Sequence, residues 1–211
     1  MTEQLEHKED VSLFDLLTVA RDAGLVGESE SALTVAVGMI HGGGVALVGP
    51  SRVGKTYLVQ KMSEAIPDSD IYEMSTTLSP TALYYNAEEI NECRVHIYHD
   101  LTTLPEHIEG VLKAHAEGMP ASREVTDAGS GETVTMTIQP PDCIIVCAAS
   151  DNENFEWNDY PEVRNRFLFV DNDASQEQTE AILDSQAESL SGLQEMILND
   201  DQVEAIKQYV G

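Results

Sequence analysis

Gly49, Pro50, Ser51, Arg52, Val53, Gly54, Lys55 and Thr56 spell Gly-x-x-x-x-Gly-Lys-Thr, a spacing whose chemistry is phosphate binding. The two glycines allow a tight turn in which successive backbone N–H groups and a helix N-terminus converge on one anion. Lys55 is then placed to reach β- and γ-phosphates, and the Thr56 hydroxyl to ligate Mg²⁺. Such a loop needs a strand before it and a helix after it, and both are written in the flanks. Val45-Ala46-Leu47-Val48 is an apolar strand, and Leu58, Val59, Met62 and Ile66 recur at helical spacing from Lys55 onward. Nucleotide binding is the first expectation, with ATP and Mg²⁺ as cofactors.

Hydrolysis asks for more, namely a carboxylate that organises the metal and a group that positions water. Asp100 is the candidate, standing with His99 at the end of the apolar run Val95-His96-Ile97-Tyr98. The stretch His99-Asp100-Leu101-Thr102-Thr103-Leu104-Pro105-Glu106 resembles the Asp-Glu-hydrophobic-x-x-hydrophobic segment of AAA+ ATPases of the minichromosome-maintenance and magnesium-chelatase-like clade. In those proteins the Asp orders Mg²⁺ through water and the Glu polarises the attacking water. Two registers fit this chain. If Asp100 takes the metal-ordering position, Leu101 stands where the catalytic Glu would be; if Asp100 takes the Glu position, the favoured register, His99 replaces the Asp. A neutral imidazole is a poorer Mg²⁺ ligand than a carboxylate, so slow hydrolysis belongs among the expectations. His99 also reads as a hydrogen-bonded strand-end histidine with no metal role.

Two further segments carry the same resemblance. Ala148-Ala149-Ser150-Asp151-Asn152 ends a strand where an AAA+ protein holds its polar sensor-1 residue, which implies that role for Ser150 or Asp151, with Asn152 third. Pro161-Glu162-Val163-Arg164-Asn165-Arg166-Phe167 resembles the segment that presents an arginine finger, implying Arg166 as the finger and Arg164 as its reserve. Arginine suits that task because its planar, permanent cation stabilises charge on a phosphoryl group in transfer. A finger serves the neighbouring subunit's nucleotide, so the resemblance implies a homo-oligomeric ring. The alternative for the two arginines is a pair of structural salt bridges.

The elements that must position these residues follow from periodicity. Helices are expected from Leu13 to near Gly24, over Ser29–Ile40, over Ser79–Asn91, over Pro105–Glu117, over Gln178–Leu190 and over Asp200–Val210. Ile71–Met74 reads as a short strand, and Cys143–Ala149 as a strand buried on both faces. Residues 123–126 and 133–138 alternate around a Gly-rich turn and predict a β-hairpin. The sum is an α/β, three-layer P-loop NTPase sandwich with a parallel sheet, a hairpin insertion and a partial C-terminal helical lid. Residues 1–24 form a helical extension, 25–173 the nucleotide-binding core and 174–211 the lid. The hairpin before the sensor strand is what resembles the helicase and chelatase clade, although its tip, Asp127 to Glu132, lacks the basic residues with which such helicases track DNA.

Composition bounds the setting. The 211 residues carry 38 acidic against 11 basic side chains, a formal charge of −27, and 42% apolar residues. The acidity is spread along the chain and Lys is scarce, a style that looks like salt-in halophiles, of haloarchaeal or haloviral type. Molar salt shortens the Debye length to roughly 3 Å and relieves that self-repulsion. No basic stripe marks a nucleic-acid surface, so DNA remains one candidate among macromolecular substrates. Cys93, Cys143 and Cys147 read as reduced, buried thiols. With no apolar stretch long enough to span a bilayer, the expectation is a cytoplasmic protein without a membrane partner. Function then divides between an ATPase that remodels a macromolecule and a nucleotide-binding switch or assembly module with little turnover; a P-loop kinase fits less of the chain.

Overall fold

The protein is described here from a computed structural model that covers residues 12–74, 79–101, 105–126, 131–150, 156–172, 175–191 and 197–210. Its elements run α1 (Leu13–Asp22), α2 (Ser29–His41), β1 (Gly43–Gly49), α3 (Lys55–Ser63), β2 (Ile71–Met74), α4 (Pro80–Tyr85), α5 (Ala87–Glu92), β3 (Val95–Leu101) and α6 (Glu106–Ala116). Then come β4 (Ala121–Thr126), β5 (Thr133–Ile138), β6 (Cys143–Ala149), α7 (Pro161–Arg164), β7 (Phe167–Asp171), α8 (Gln176–Ser191) and α9 (Asp200–Val210). Five strands make one sheet in the order β2-β3-β6-β1-β7, every pair parallel. The central place of β6 follows from its composition, because all seven of its residues are buried and only a strand covered on both faces can be apolar throughout.

Side chains alternate across the sheet, and each face has its own core. Val45, Leu47, Val95, Ile97, Ile145 and Cys147 face α1, α2 and α3, where Leu16, Ala20, Val35, Met39, Leu58 and Met62 meet them. Tyr98, Ile144, Val146 and Ala148 face the other way, against Ile108, Val111 and Leu112 of α6 and Val125 and Ile138 of the hairpin. Helices therefore cover both faces of a parallel sheet, giving the three-layer α/β P-loop arrangement. The hairpin forms as the alternation predicts, with β4 antiparallel to β5 from Ala121↔Ile138 to Thr126↔Thr133. Its expected tip residues 127–130 lie outside the described residues.

Several expectations change. The helix expected over Ser79–Asn91 is two, because Asn86 leaves helical geometry at φ −92°, ψ 11° and donates its side-chain amide to the Tyr72 hydroxyl at 3.2 Å. Asparagine competes with the helix in this way because its short amide finds partners outside it. Strand β7 is unanticipated: Phe167–Asp171 pairs along β1 from Gly44↔Phe167 to Val48↔Asp171, although Leu168 and Phe169 face outward and leave no clean apolar run. Strand β3 carries the pair His99–Asp100 and ends one residue beyond it, at Leu101. The thiols also divide. Cys143 and Cys147 are buried, the former pushed up to about 12 by burial, whereas Cys93 is half-buried and donates to the carbonyls of Ser69 and Glu89 at 3.5 Å.

Candidate nucleotide-binding site

The phosphate loop joins β1 to α3 in the order the sequence dictates. Gly54 caps α3 at φ +92°, and the Leu58 amide donates to the Gly54 carbonyl at 2.8 Å to start the helix. Arg52 also lies in the left-handed region, at φ +70°, a conformation that costs a residue with a Cβ roughly 1–2 kcal/mol. Strain of that kind persists where the surroundings hold the loop shape in place. At Gly49 the reason for glycine is packing, since a Cβ there would lie 3.2 Å from Val53 Cγ2 and 3.5 Å from Asn172 Cβ. The first turn of α3 carries no acidic residue, so its partial positive charge stays available to an anion.

Lys55 is 8% exposed, with Nζ donating to the carbonyls of Gly49 at 2.8 Å and Pro50 at 2.7 Å. A buried ammonium folded onto its own loop is a cation kept inside the phosphate seat. Ser51, Arg52 and Thr56 are exposed. Beside the loop lies a cavity of about 600 Å³, walled by Arg52, Val53, Gly54 and Tyr57 on one side and by Leu25, Val26 and α8 residues Gln178, Ile182 and Leu183 on the other. Two contacts hold this wall together. The Tyr57 hydroxyl donates to the Gly24 carbonyl at 3.1 Å, and Gln178 Nε2 donates to the Val26 carbonyl at 2.7 Å. A volume of this size matches that of small-molecule sites, with apolar walls and a few polar groups. Periodicity does not reveal it, because the turn after α1, the loop and α8 meet only in the folded chain.

All five sheet strands are parallel, so β1, β3 and β6 end on one edge, with β6 between the other two. That edge brings together the loop, Ser150 and the pair His99–Asp100. The Ser150 amide donates to the Gly49 carbonyl at 2.9 Å, tying the end of β6 to the start of the loop. The β3 and β1 axes are about 10 Å apart, two strand spacings. The backbone of Asp100 belongs to β3, while its side chain lies outside the described residues, as does Asp151 with Asn152. His99 stands next to the neighbouring strand's Glu73, Nε2 to Oε2 3.5 Å.

The arginine segment lies elsewhere. Phe167 pairs with Gly44, the second residue of β1, so Arg166 sits near the edge where the strands begin, and the five residues from Gly44 to Gly49 put about 16 Å between it and its own loop. Arg166 is ion-paired with Glu117 and donates to the Glu162 carbonyl. The Arg164 guanidinium lies 5.7 Å from the Phe169 ring centre, and the Trp157 ring meets Phe169 edge-on at 5.1 Å. Lys113 bridges Glu109 at 2.8 Å and Glu162 at 2.9 Å, fastening α7 to α6, and it lowers the Glu162 carboxyl while its own ammonium is raised.

A family model described as the MTBMA_p00010 P-loop domain matches residues 29–208. The chain belongs to this family. As an MTBMA_p00010 P-loop domain it places within the matched span the phosphate loop, the ends of β3 and β6, the hairpin, the arginine segment and α8. No curated protein matches the chain.

The residues present fit a magnesium nucleotide: a buried ammonium inside the loop, an α3 N-terminus with no side-chain cap, and a cavity beside the loop. Thr56, the first-turn hydroxyl of α3, is exposed beside the loop where a nucleotide's metal would be held. Among the described residues no helix is long and apolar enough to cross a membrane.

Proposed function

We propose that this P-loop domain binds ATP with Mg²⁺ on the Gly49–Thr56 loop and hydrolyses it, acting as an oligomer of AAA+ type on a macromolecule, with DNA one candidate. The observation that carries the reading is the loop itself, with Lys55 buried in its seat and Gly54 turning the chain into α3. In this reading Lys55 neutralises the phosphates, Thr56 ligates the metal, and the nucleoside occupies the cavity between the loop and α8. Asp100 polarises water and Ser150 or Asp151 touches the γ-phosphate from the strand between. The separation of about 16 Å between Arg166 and its own loop supports a role for it on a neighbouring copy's nucleotide, with Arg164 in reserve, the arrangement that an arginine finger requires. The acid-rich surface makes concentrated salt the natural medium for assembly.

Calorimetry with ATP and Mg²⁺ in molar KCl, followed by steady-state turnover, tests the proposal. Asp100→Asn is expected to bind ATP but lose turnover by about 100-fold or more, and mixing it with Arg166→Ala is expected to restore part of the activity through shared sites. Failure of the parent to bind either ATP or GTP overturns the reading. A second reading, a nucleotide-dependent switch with little turnover, rests on His99 standing where a metal-ordering carboxylate is expected. ATP binding with no release of phosphate from the assembled parent selects it.

A further inference from the structure

The pair His99–Asp100 sits at an irregularity in the sheet. Tyr98 is paired with Val146 and Leu101 with Ala148, so β3 takes three steps where β6 takes two. One extra residue is thus accommodated at His99–Asp100, the kind of bulge that re-aims side chains beside functional sites. On the neighbouring strand Glu73 pairs with Ile97, and Ile97 belongs to the core under α3. Glu73 lines a groove with Gln60 and Ser63 of α3 and with Glu64 just after it. It therefore stands on the same face of the sheet as the helix that begins at the phosphate loop. From there its carboxylate comes within 3.5 Å of His99 Nε2. Both ring nitrogens of His99 are shielded from solvent, and among the described residues neither has a completed hydrogen bond.

We propose that Glu73 is a positioning residue for hydrolysis, its carboxylate fixing the orientation and tautomer of the His99 imidazole. The inference rests on the ATPase reading above. A neutral imidazole has one N–H and one lone pair, and the group that accepts from the N–H decides which nitrogen keeps the lone pair. With Glu73 accepting from Nε2–H, Nδ1 is left as an acceptor. An aligned acceptor can hold a metal-bound water without ligating the metal itself, and carboxylate partners of histidine raise that basicity. The negative charge missing at position 99 is thereby supplied from one strand away. The present 3.5 Å is longer than a formed hydrogen bond, and catalytic contacts of this kind shorten when the substrate complex forms.

Two readouts decide the matter in the full chain. In protein bound to Mg²⁺ and a non-hydrolysable ATP analogue, ¹⁵N spectra of the histidine side chains are expected to show His99 as the Nε2–H tautomer, and Glu73→Ala to convert it to a tautomer mixture. Glu73 is half-exposed, so the variant keeps the fold. Glu73→Ala is expected to lower kcat about 10- to 100-fold with KM for ATP unchanged, Glu73→Asp to recover part of that loss, and Glu73→Ala to add nothing to His99→Ala. Unchanged spectra, full turnover in Glu73→Ala, or losses that multiply in the double variant each overturn the proposal. A parent without turnover overturns the ATPase reading and the hydrolytic role of Glu73 together, whereas an active parent indifferent to Glu73 overturns only the latter.

Discussion

The two edges of the five-stranded sheet are built on opposite principles. Where the strands end, the backbone is shaped first: Arg52 and Gly54 take left-handed geometry, Gly49 packs against Val53 and Asn172, and Lys55 waits inside. Where they begin, side chains do the work. Arg166 is held by Glu117, Arg164 by an aromatic ring, Lys113 by two glutamates, and His96 and His115 lie buried nearby with ring centres 5.9 Å apart. A site shaped by backbone is preorganised for an anion, whereas cations satisfied by side chains can be released at small cost. On the proposed reading the first edge is ready within one chain, whereas the second serves a neighbouring copy only once its internal partners are displaced.

Arg166→Ala should break this division most sharply. If the arginine serves a neighbour, turnover in assembled protein falls by about 1,000-fold while calorimetric ATP affinity stays; equal turnover removes the assignment. Acid comes next. Burial lowers His96 to about 4 and lowers His115 as well. The unfolded chain takes up protons near 6.5 and the folded chain only at lower pH, so stability is complete above 6.5 and declines toward pH 4. For His96 alone the loss is about 3 kcal/mol. Denaturant midpoints measured across that window in fixed salt check it, and His96→Phe should flatten the decline. Lys55→Ala should then weaken ATP by about 100-fold, with no change in the arginine edge. Smallest is Glu117→Ala. Freeing Arg166 should alter stability by under about 1 kcal/mol and lower the protein concentration for half-maximal turnover by up to about fivefold; an unchanged concentration dependence denies that the ion pair restrains the arginine.

What sequence discloses depends on how local the cause is. The loop was legible because glycine spacing, strand and helix lie within one stretch, and Cys143–Ala149 and Asp200–Val210 have the limits that their composition and periodicity predict. Asn86 was not legible as a break, since its competing partner is Tyr72 on another element. Strand β7 was hidden because Leu168 and Phe169 face outward at an edge, erasing the run that marks a buried strand. The bulge at His99–Asp100 exists only relative to β6, and Glu73 acquires meaning only through its neighbour strand. The cavity needed three distant segments. Residues whose chemistry is set by backbone shape could be read in advance; those whose chemistry is set by partners could not.

Helix α1 lies upstream of the span that the family model covers, yet Leu16, Leu17, Val19 and Ala20 are buried in the core beneath the loop helix. Its last residue, Asp22, accepts from the amides of Ile197 at 3.0 Å and Leu198 at 2.7 Å, just before α9. A fragment trimmed to residues 29–208 would therefore open a large greasy wound under α3 and unfasten the C-terminal segment as well. Anyone expressing this domain should keep the leading helix, because boundaries chosen from sequence similarity alone would yield aggregates and a misleadingly negative binding assay.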